Sequence, residues 1–157
     1  GRLTEKTRAN TRQENSIEQL LYFYLAEYFR NNKRVTFVRE EGALTHLDVY
    51  GRTIRFMHGD TVKYGGGIGG ITIPINKAIS RLDTVRRADL TVMGHFHRLT
   101  YANRLIINGS LIGYSPYAIS ISAEFEPPQQ AGILIDSEHF DSIKIPLWVA
   151  STKEQYK

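Results

Sequence analysis

Apolar residues recur at intervals of three and four from Ile17 through Leu20, Leu21, Tyr24 and Leu25 to Tyr28, and past residue 34 the spacing becomes every second position. That change of period constrains the fold most. A period near 3.6 keeps one face of a helix apolar, whereas a period of two keeps one face of a strand apolar. Ser16 stands three residues before Gln19, a capping-box pattern that satisfies free backbone N–H groups of a first helical turn. The spacing therefore predicts an amphipathic helix over residues 16–31, with Asn31, Asn32 and Lys33 as stop signals. Phe23, Ala26 and Phe29 widen its apolar stripe, which predicts deep packing against a sheet.

Strand patterns follow at 34–39 (Val35, Phe37), 44–50 (Leu47, Val49) and 53–58, with Tyr50-Gly51-Arg52-Thr53 as a hairpin signal between the last two. Residues 61–74 hold Gly65, Gly66, Gly67, Gly69 and Gly70 and read as a loop. A helix is expected from Pro74 or Ile75 to about Arg87, then a short buried strand at 90–93 that stops on Gly94. Further strands are expected at 98–102, 105–108, 118–125, 131–136 and 140–146, joined by segments with turn chemistry. Residues 1–14 read as a polar lead-in, and the tail after Trp148 as fraying. The order indicates an α/β (α+β) chain folded as a single domain over 1–157, without repeats or an internal linker.

Composition narrows the chemistry. The chain has no cysteine, so thiolate metal sites, disulfides and cysteine nucleophiles are excluded, and a metal must be held by nitrogen and oxygen. Its apolar runs are far shorter than the roughly 20 residues of a membrane span, and no secretory signal is visible. A cytoplasmic location without membrane attachment is the expectation. The net charge of +4 and pI of about 9.4 lean toward polyanionic partners such as nucleic acid. The basic residues are scattered, however, and Arg81, Arg86 and Arg87 read most simply as a solvated helix face.

Two strings carry the chemistry: Phe56-Met57-His58-Gly59-Asp60 and Val92-Met93-Gly94-His95-Phe96-His97-Arg98. Each sets histidine at the end of an apolar strand, where the chain leaves the sheet beside solvent-accessible crevices. Gly59 and Gly94 allow a sharp turn or close approach. In an extended segment His95 and His97 point one way and Phe96 the other, into the core. Two imidazoles on one side plus a third from a neighbouring strand make a nitrogen-rich site suited to zinc, manganese or iron.

Gly94-His95-Phe96-His97, His58-Gly59-Asp60 upstream and Ile107-Asn108-Gly109-Ser110 downstream resemble the closing blocks of the calcineurin-like metallophosphoesterase family. The resemblance runs from the first strand to about Ser115, and the Gly-His-x-His block is its most specific part. It implies the C-terminal part of a four-layer α/β/β/α sandwich with a two-metal centre. His58 and His95 would bind one divalent ion (Mn, Zn or Fe) and His97 a second. Asn108, Gly109 and Ser110 would shape the turn beneath them.

The family's earlier ligand blocks, Asp-x-His, Gly-Asp-x-x-Asp and Gly-Asn-His, do not occur here. The expectation is that this chain begins just after the last of them. In the intact site two ions ~3.5–4 Å apart would generate hydroxide and neutralise phosphate oxygens. Without a bridging carboxylate, this chain alone should bind at most one ion weakly and hydrolyse phosphoesters poorly. The implied function is metal-dependent hydrolysis of phosphomonoesters or phosphodiesters, nucleotides or nucleic acid being the favoured substrates. A non-catalytic metal- or nucleic-acid-binding module and a protein phosphatase are the alternatives.

A missing half-sandwich would leave an apolar sheet face in water, at roughly 25 cal/mol per Å², and so predicts an oligomer or association with the lost segment. Among lesser candidates, Arg98 is a possible contact for substrate phosphate. Asp60 can orient His58 or cap its loop. The run Gly65 to Gly70 is a lid or a plain loop, and His46 and His139 read as surface residues.

Overall fold

The computed structural model describes residues 17–38, 42–63, 70–120, 122 and 124–149. The lead-in, the cap at Ser16, the glycine run 65–69 and residues 150–157 lie outside the described residues. Two compact units are present, Gly1–Thr45 and His46–Lys157.

In the first unit, α1 (Ile17–Tyr28) follows the helical period. Leu20, Leu21, Tyr22, Phe23 and Tyr24 are exposed. Five consecutive apolar residues surround a helix, and no one face can bury them all. The strand expected at 34–39 does not form in residues 35–38. Asn32 accounts for it: its side-chain oxygen accepts from the Arg34 N–H at 3.0 Å and its carbonyl from the Val35 N–H at 3.0 Å. This local turn competes with a ladder.

The second unit is built on a mixed five-stranded sheet. Its strands are β1 (Leu44–Val49), β2 (Arg52–Met57), β3 (Leu90–Met93), β4 (Thr100–Ala102) and β5 (Leu105–Ile107), in the order β1-β2-β3-β5-β4. β2 and β3 are parallel, as are β3 and β5, and β4 returns antiparallel to β5. Tyr50 and Gly51, with φ of 51° and 73°, make the tight turn between β1 and β2, a pair of left-handed residues that suits the twist of a hairpin.

α2 (Thr72–Asp83) connects β2 to β3. It begins two residues ahead of Pro74, which sits in the first turn, where a missing N–H costs nothing. It ends at Asp83 rather than near Arg87 because the Asp83 carboxylate turns to two arginines. Arg55 and Arg104 each donate to it at 2.8 Å. Arg55 also donates to the Arg86 carbonyl and Arg104 to the Ala88 carbonyl. Burial pushes the Asp83 pKa up, but the hydrogen bonds from Arg55, Arg104 and the Ala88 N–H outweigh it and hold it below the ordinary value.

Alternation along each strand sorts the core into two layers. Val62, Ile75, Ile79, Met93, Leu105 and Ile107 pack together between the sheet and α2. On the other face Ile54, Leu90 and Ile106 pack with Phe140, backed by Ala131, Ile133 and Ile135 of a second, two-stranded sheet. That sheet is the antiparallel pair β6 (Gln129–Asp136) and β7 (Phe140–Trp148). The Tyr101 hydroxyl donates to the Ile145 carbonyl at 2.6 Å and stitches β4 to it. The unit is thus layered α/β/β, as the α/β reading anticipated. On the outer face of β6–β7, Leu134, Ile143, Ile145 and Leu147 are exposed.

Residues 118–125 were expected as a strand, yet Pro116–Ser120 forms a short helix, α3. Ser115-Pro116 explains it. The Ser115 hydroxyl accepts from the Ala118 N–H at 3.4 Å, an N-cap ahead of a proline already set for the first helical position. His46, expected at the surface, is buried in β1, because the strand places it on an inward face. His139 is exposed in the β6–β7 turn.

That turn is organised by Asp136, whose carboxylate accepts from the N–H groups of His139 at 2.6 Å and Glu138 at 2.8 Å. The His139 N–H contributes most to lowering the Asp136 pKa to about 2. A group depressed on folding stabilises above its unfolded value, here near 3.8, and loses that contribution as pH falls toward 2. An NMR titration should find the Asp136 carboxyl titrating near pH 2, with the Glu138 and His139 amide signals moving in step.

Candidate metal centre

β2 and β3 lie parallel and in register, Met57 opposite Met93, so both histidine strings emerge at the same end of the sheet. Their backbones stay joined one step further, where the Gly94 N–H donates to the His58 carbonyl at 3.1 Å. Gly59 makes the approach possible. Its φ is +105°, and a β-carbon there would lie 3.2 Å from the Gly94 carbonyl oxygen, 3.3 Å from the His95 β-carbon and 3.3 Å from the Phe96 ring.

The segment after β3 is not an extended strand. The Phe96 N–H donates back to the Gly94 carbonyl at 2.9 Å, closing a three-residue turn around His95. At +72° the His95 φ matches the rarer form of that turn, near +75°. His97 is also left-handed, with φ of 55°. Such angles are uncommon for non-glycine residues, although histidine adopts them more readily than most, and Tyr50, Arg104, Ser122 and Phe140 share them. The expected alternation therefore fails for the histidines, because two left-handed residues reset where each side chain leaves the backbone. For Phe96 the expectation holds: it packs on the core between sheet and α2.

The rings of His58 and His95 stand 5.1 Å apart, centre to centre, inclined at 67°. Two imidazoles sharing one tetrahedral ion at about 2.1 Å from each nitrogen have centres roughly 5 Å apart. The ring spacing is of that order. Phe96 stands edge-on to His95 at 5.1 Å. His97 is placed differently, its ring 6.0 Å from that of Tyr117 on α3. Among the described residues, no group of three or more His, Cys, Asp or Glu converges as a metal cluster. A second ion is thus not supported by these residues.

The other residues singled out from the sequence frame this pair. Asp60 lies in the turn that the Val62 N–H closes onto the Gly59 carbonyl at 3.0 Å. Asn108, at the end of β5, donates its amide to Gln130 at 2.7 Å and accepts from the Ala131 N–H at 2.8 Å. It clasps β6 of the second sheet to the end of β5, while its own N–H donates to the Met93 carbonyl at 2.7 Å. Gly109 permits the contact, since a β-carbon there would lie 2.5 Å from the Gln129 carbonyl. Arg98 forms an exposed ion pair with Glu124 at 2.6 Å, which in water contributes little stability.

Sequence reasoning missed Tyr117 and Gln130. The Ser115-Pro116 helix start would have placed Tyr117 on a helix beside the histidine loop, whereas nothing local marks Gln130.

No protein-family model matches the chain, and no curated protein matches it either. Among solved structures it is similar to wild-type Vps29 of Entamoeba histolytica complexed with Zn2+, at 19% identity and a TM-score of 0.47 over 72% of this chain and 64% of that one. It is also similar to Vacuolar Protein Sorting 29 of Cryptosporidium parvum, at 16% identity and a TM-score of 0.42 over 80% of this chain and 76% of that one. The chain spans less than two thirds of the length of the Entamoeba protein.

Proposed function

We propose that this chain carries the histidine side of a metal-dependent phosphoesterase centre, in which His58 and His95 share one divalent ion. The observation that supports it is their 5.1 Å ring spacing, set by a strained His95 backbone at the ends of two parallel strands. Neutral imidazoles leave the ion its full positive charge, so it can polarise a phosphate oxygen or acidify bound water when present. Around it, His58 and His95 supply orientation, His97 stands ready for a second ion held partly from elsewhere, and Arg98 can exchange Glu124 for substrate phosphate. Zinc, manganese and iron all suit nitrogen ligands, and nucleotide or nucleic-acid phosphoesters suit the basic balance of the chain.

With no third ligand converging among the described residues, the chain alone is expected to bind one ion weakly and turn over slowly. The exposed apolar residues of β6–β7 favour association with another polypeptide that completes the centre. Calorimetric zinc titration of the purified chain should show one ion per chain. His58→Ala or His95→Ala should abolish the signal and His97→Ala should retain it. Binding that survives both His58→Ala and His95→Ala would remove the proposed pair. Slow manganese-dependent hydrolysis of bis(p-nitrophenyl) phosphate that disappears in His95→Ala is the expected activity, and rapid hydrolysis by the chain alone would overturn the incomplete-site reading.

The lack of a three-ligand cluster among the described residues favours one second reading, a non-catalytic metal-binding module. Zinc binding without any hydrolysis above the His95→Ala background is its signature.

A further inference from the structure

The pairing of β6 with β7 decides which of its surfaces can take a partner. Opposed residues in an antiparallel pair alternate between bonded and non-bonded. The Val149 N–H donates to the Pro128 carbonyl at 3.0 Å, so in this register Gly132/Ile145 is a bonded pair and Ala131/Pro146 is not. The N–H groups of Gln129 and Ala131 therefore point to the outer edge of β6. There the Ser110 carbonyl accepts the first at 3.1 Å and the Asn108 side chain the second at 2.8 Å. On the outer edge of β7 the residue opposite Ala131 is Pro146, which has no N–H to offer. Both edges thus discourage an added strand, and association is left to the face.

That face is an apolar plate. Ile143, Ile145, Leu147 and Val149 recur at every second residue of β7 and its extension, and Leu134 stands opposite Ile143. Each of the five is 47–54% exposed. Opposite Ile145 lies Gly132, where a β-carbon would come 3.0 Å from both the Ile145 and the Leu147 side chains. Those two side chains lean over the glycine and level the plate. Alternation sends Lys144 to the other face, where it pairs with Asp141 at 2.6 Å.

We propose that this plate is a self-association surface, on which the same face of a second copy of the chain packs about a two-fold axis. Five half-exposed side chains present on the order of 450 Å² of apolar surface, a large patch for a lone monomer. At the roughly 65% apolar share of homodimer interfaces, two such plates imply about 1,400 Å² buried in all, within the roughly 1,200–2,000 Å² that stable complexes bury. Charge singles out a second copy as the occupant. The chain carries +4, so copies repel one another at most approaches, and a two-fold contact apposes the same patch on both subunits. An uncharged plate is where that apposition brings no like charges together. Two sheets packed in this way lie about 10 Å apart with their strands within roughly 30°. The polypeptide seated on this face is thereby a second copy of the chain, and its seating does not rest on the metal reading.

Size exclusion with light scattering on the full chain, from micromolar to submillimolar concentration, should give twice the 17.9 kDa chain mass. Ile145→Lys sets two cations into the contact and should yield a monomer with an unchanged circular-dichroism spectrum, whereas Ile145→Leu should retain the dimer. Should Ile145→Lys fail to fold, Val149→Lys, just past the end of β7, carries charge into the same plate and should likewise give a monomer. The dimer should form equally in EDTA. A chain that dimerises but takes up no zinc retains this proposal and loses the metal reading. A wild-type monomer at every concentration, a dimer that persists in the folded lysine variant, or one that EDTA dissociates overturns the proposal. So does a monomer that binds a different polypeptide and loses it in Ile145→Lys, which would assign the plate to that partner.

Discussion

Asp83→Ala is expected to destabilise the chain by about 3 kcal/mol, near the lower end of what removing one partner of a buried ion pair costs. Among the described residues, Asp83 is the carboxylate shared by Arg55, whose side chain is 0% exposed, and Arg104, which is 38% exposed. Alanine would leave the Arg55 charge buried with two neutral acceptors among the described residues, the Arg86 carbonyl and Thr91 Oγ1. The partial exposure of Arg104 lets water screen its share, which keeps the cost from the upper end. Out of a typical 5–15 kcal/mol this is a large loss, and urea denaturation would register it as a lower midpoint at unchanged slope. A midpoint within error of wild type would show that the network contributes no net stability. Because the Asp83 pKa is lowered on folding, its contribution is present above the ordinary carboxylate value and fades as pH falls below it. The Asp83→Ala variant should accordingly lose less on acidification than the wild type.

Gly59→Ala is expected to act on the site more than on the fold. A φ of +105° disfavours any L side chain, and the added methyl would press on the Gly94 carbonyl, the His95 β-carbon and the Phe96 ring together. The strain is on the order of 1–3 kcal/mol. Relief comes most readily by moving the 94–96 turn away from His58, which separates the two imidazoles. Zinc affinity should fall by roughly 10–100-fold, the range seen when groups that orient metal ligands are changed. If affinity is unchanged while thermal stability falls, the spacing of the pair does not depend on the Gly59 approach, and the proposed centre loses its geometric support.

Much of this was legible in one dimension. The strand at 90–93 follows from a short apolar run that stops on Gly94, and the hairpin around Tyr50-Gly51 and the pair β6–β7 from strand patterns with turn residues between them. The glycine–histidine strings were legible too, because histidines at the ends of apolar runs have few structural uses. What misled was local pattern without partners. Val35 and Phe37 alternate like a strand, but Asn32 bends the backbone instead. The 118–125 segment looks β-branched and apolar, but Ser115-Pro116 starts a helix there. His46 looks like a solvent residue until its strand is given an inner face.

Three histidines near strand ends, nitrogen-only ligation and a layered α/β architecture are properties of residue order, since composition limits ligand chemistry and periodicity limits element type. Which histidines stand together is not. That depends on β2 and β3 lying side by side in register, on the absence of a β-carbon at Gly59, and on two left-handed residues, His95 and His97, that no propensity would assign. Sequence spacing sets His95 and His97 two residues apart as natural companions. Packing pairs His95 with His58, thirty-seven positions away, and turns His97 toward Tyr117. Distances between side chains are fixed by strand register and backbone dihedrals, and both are settled only when the core closes.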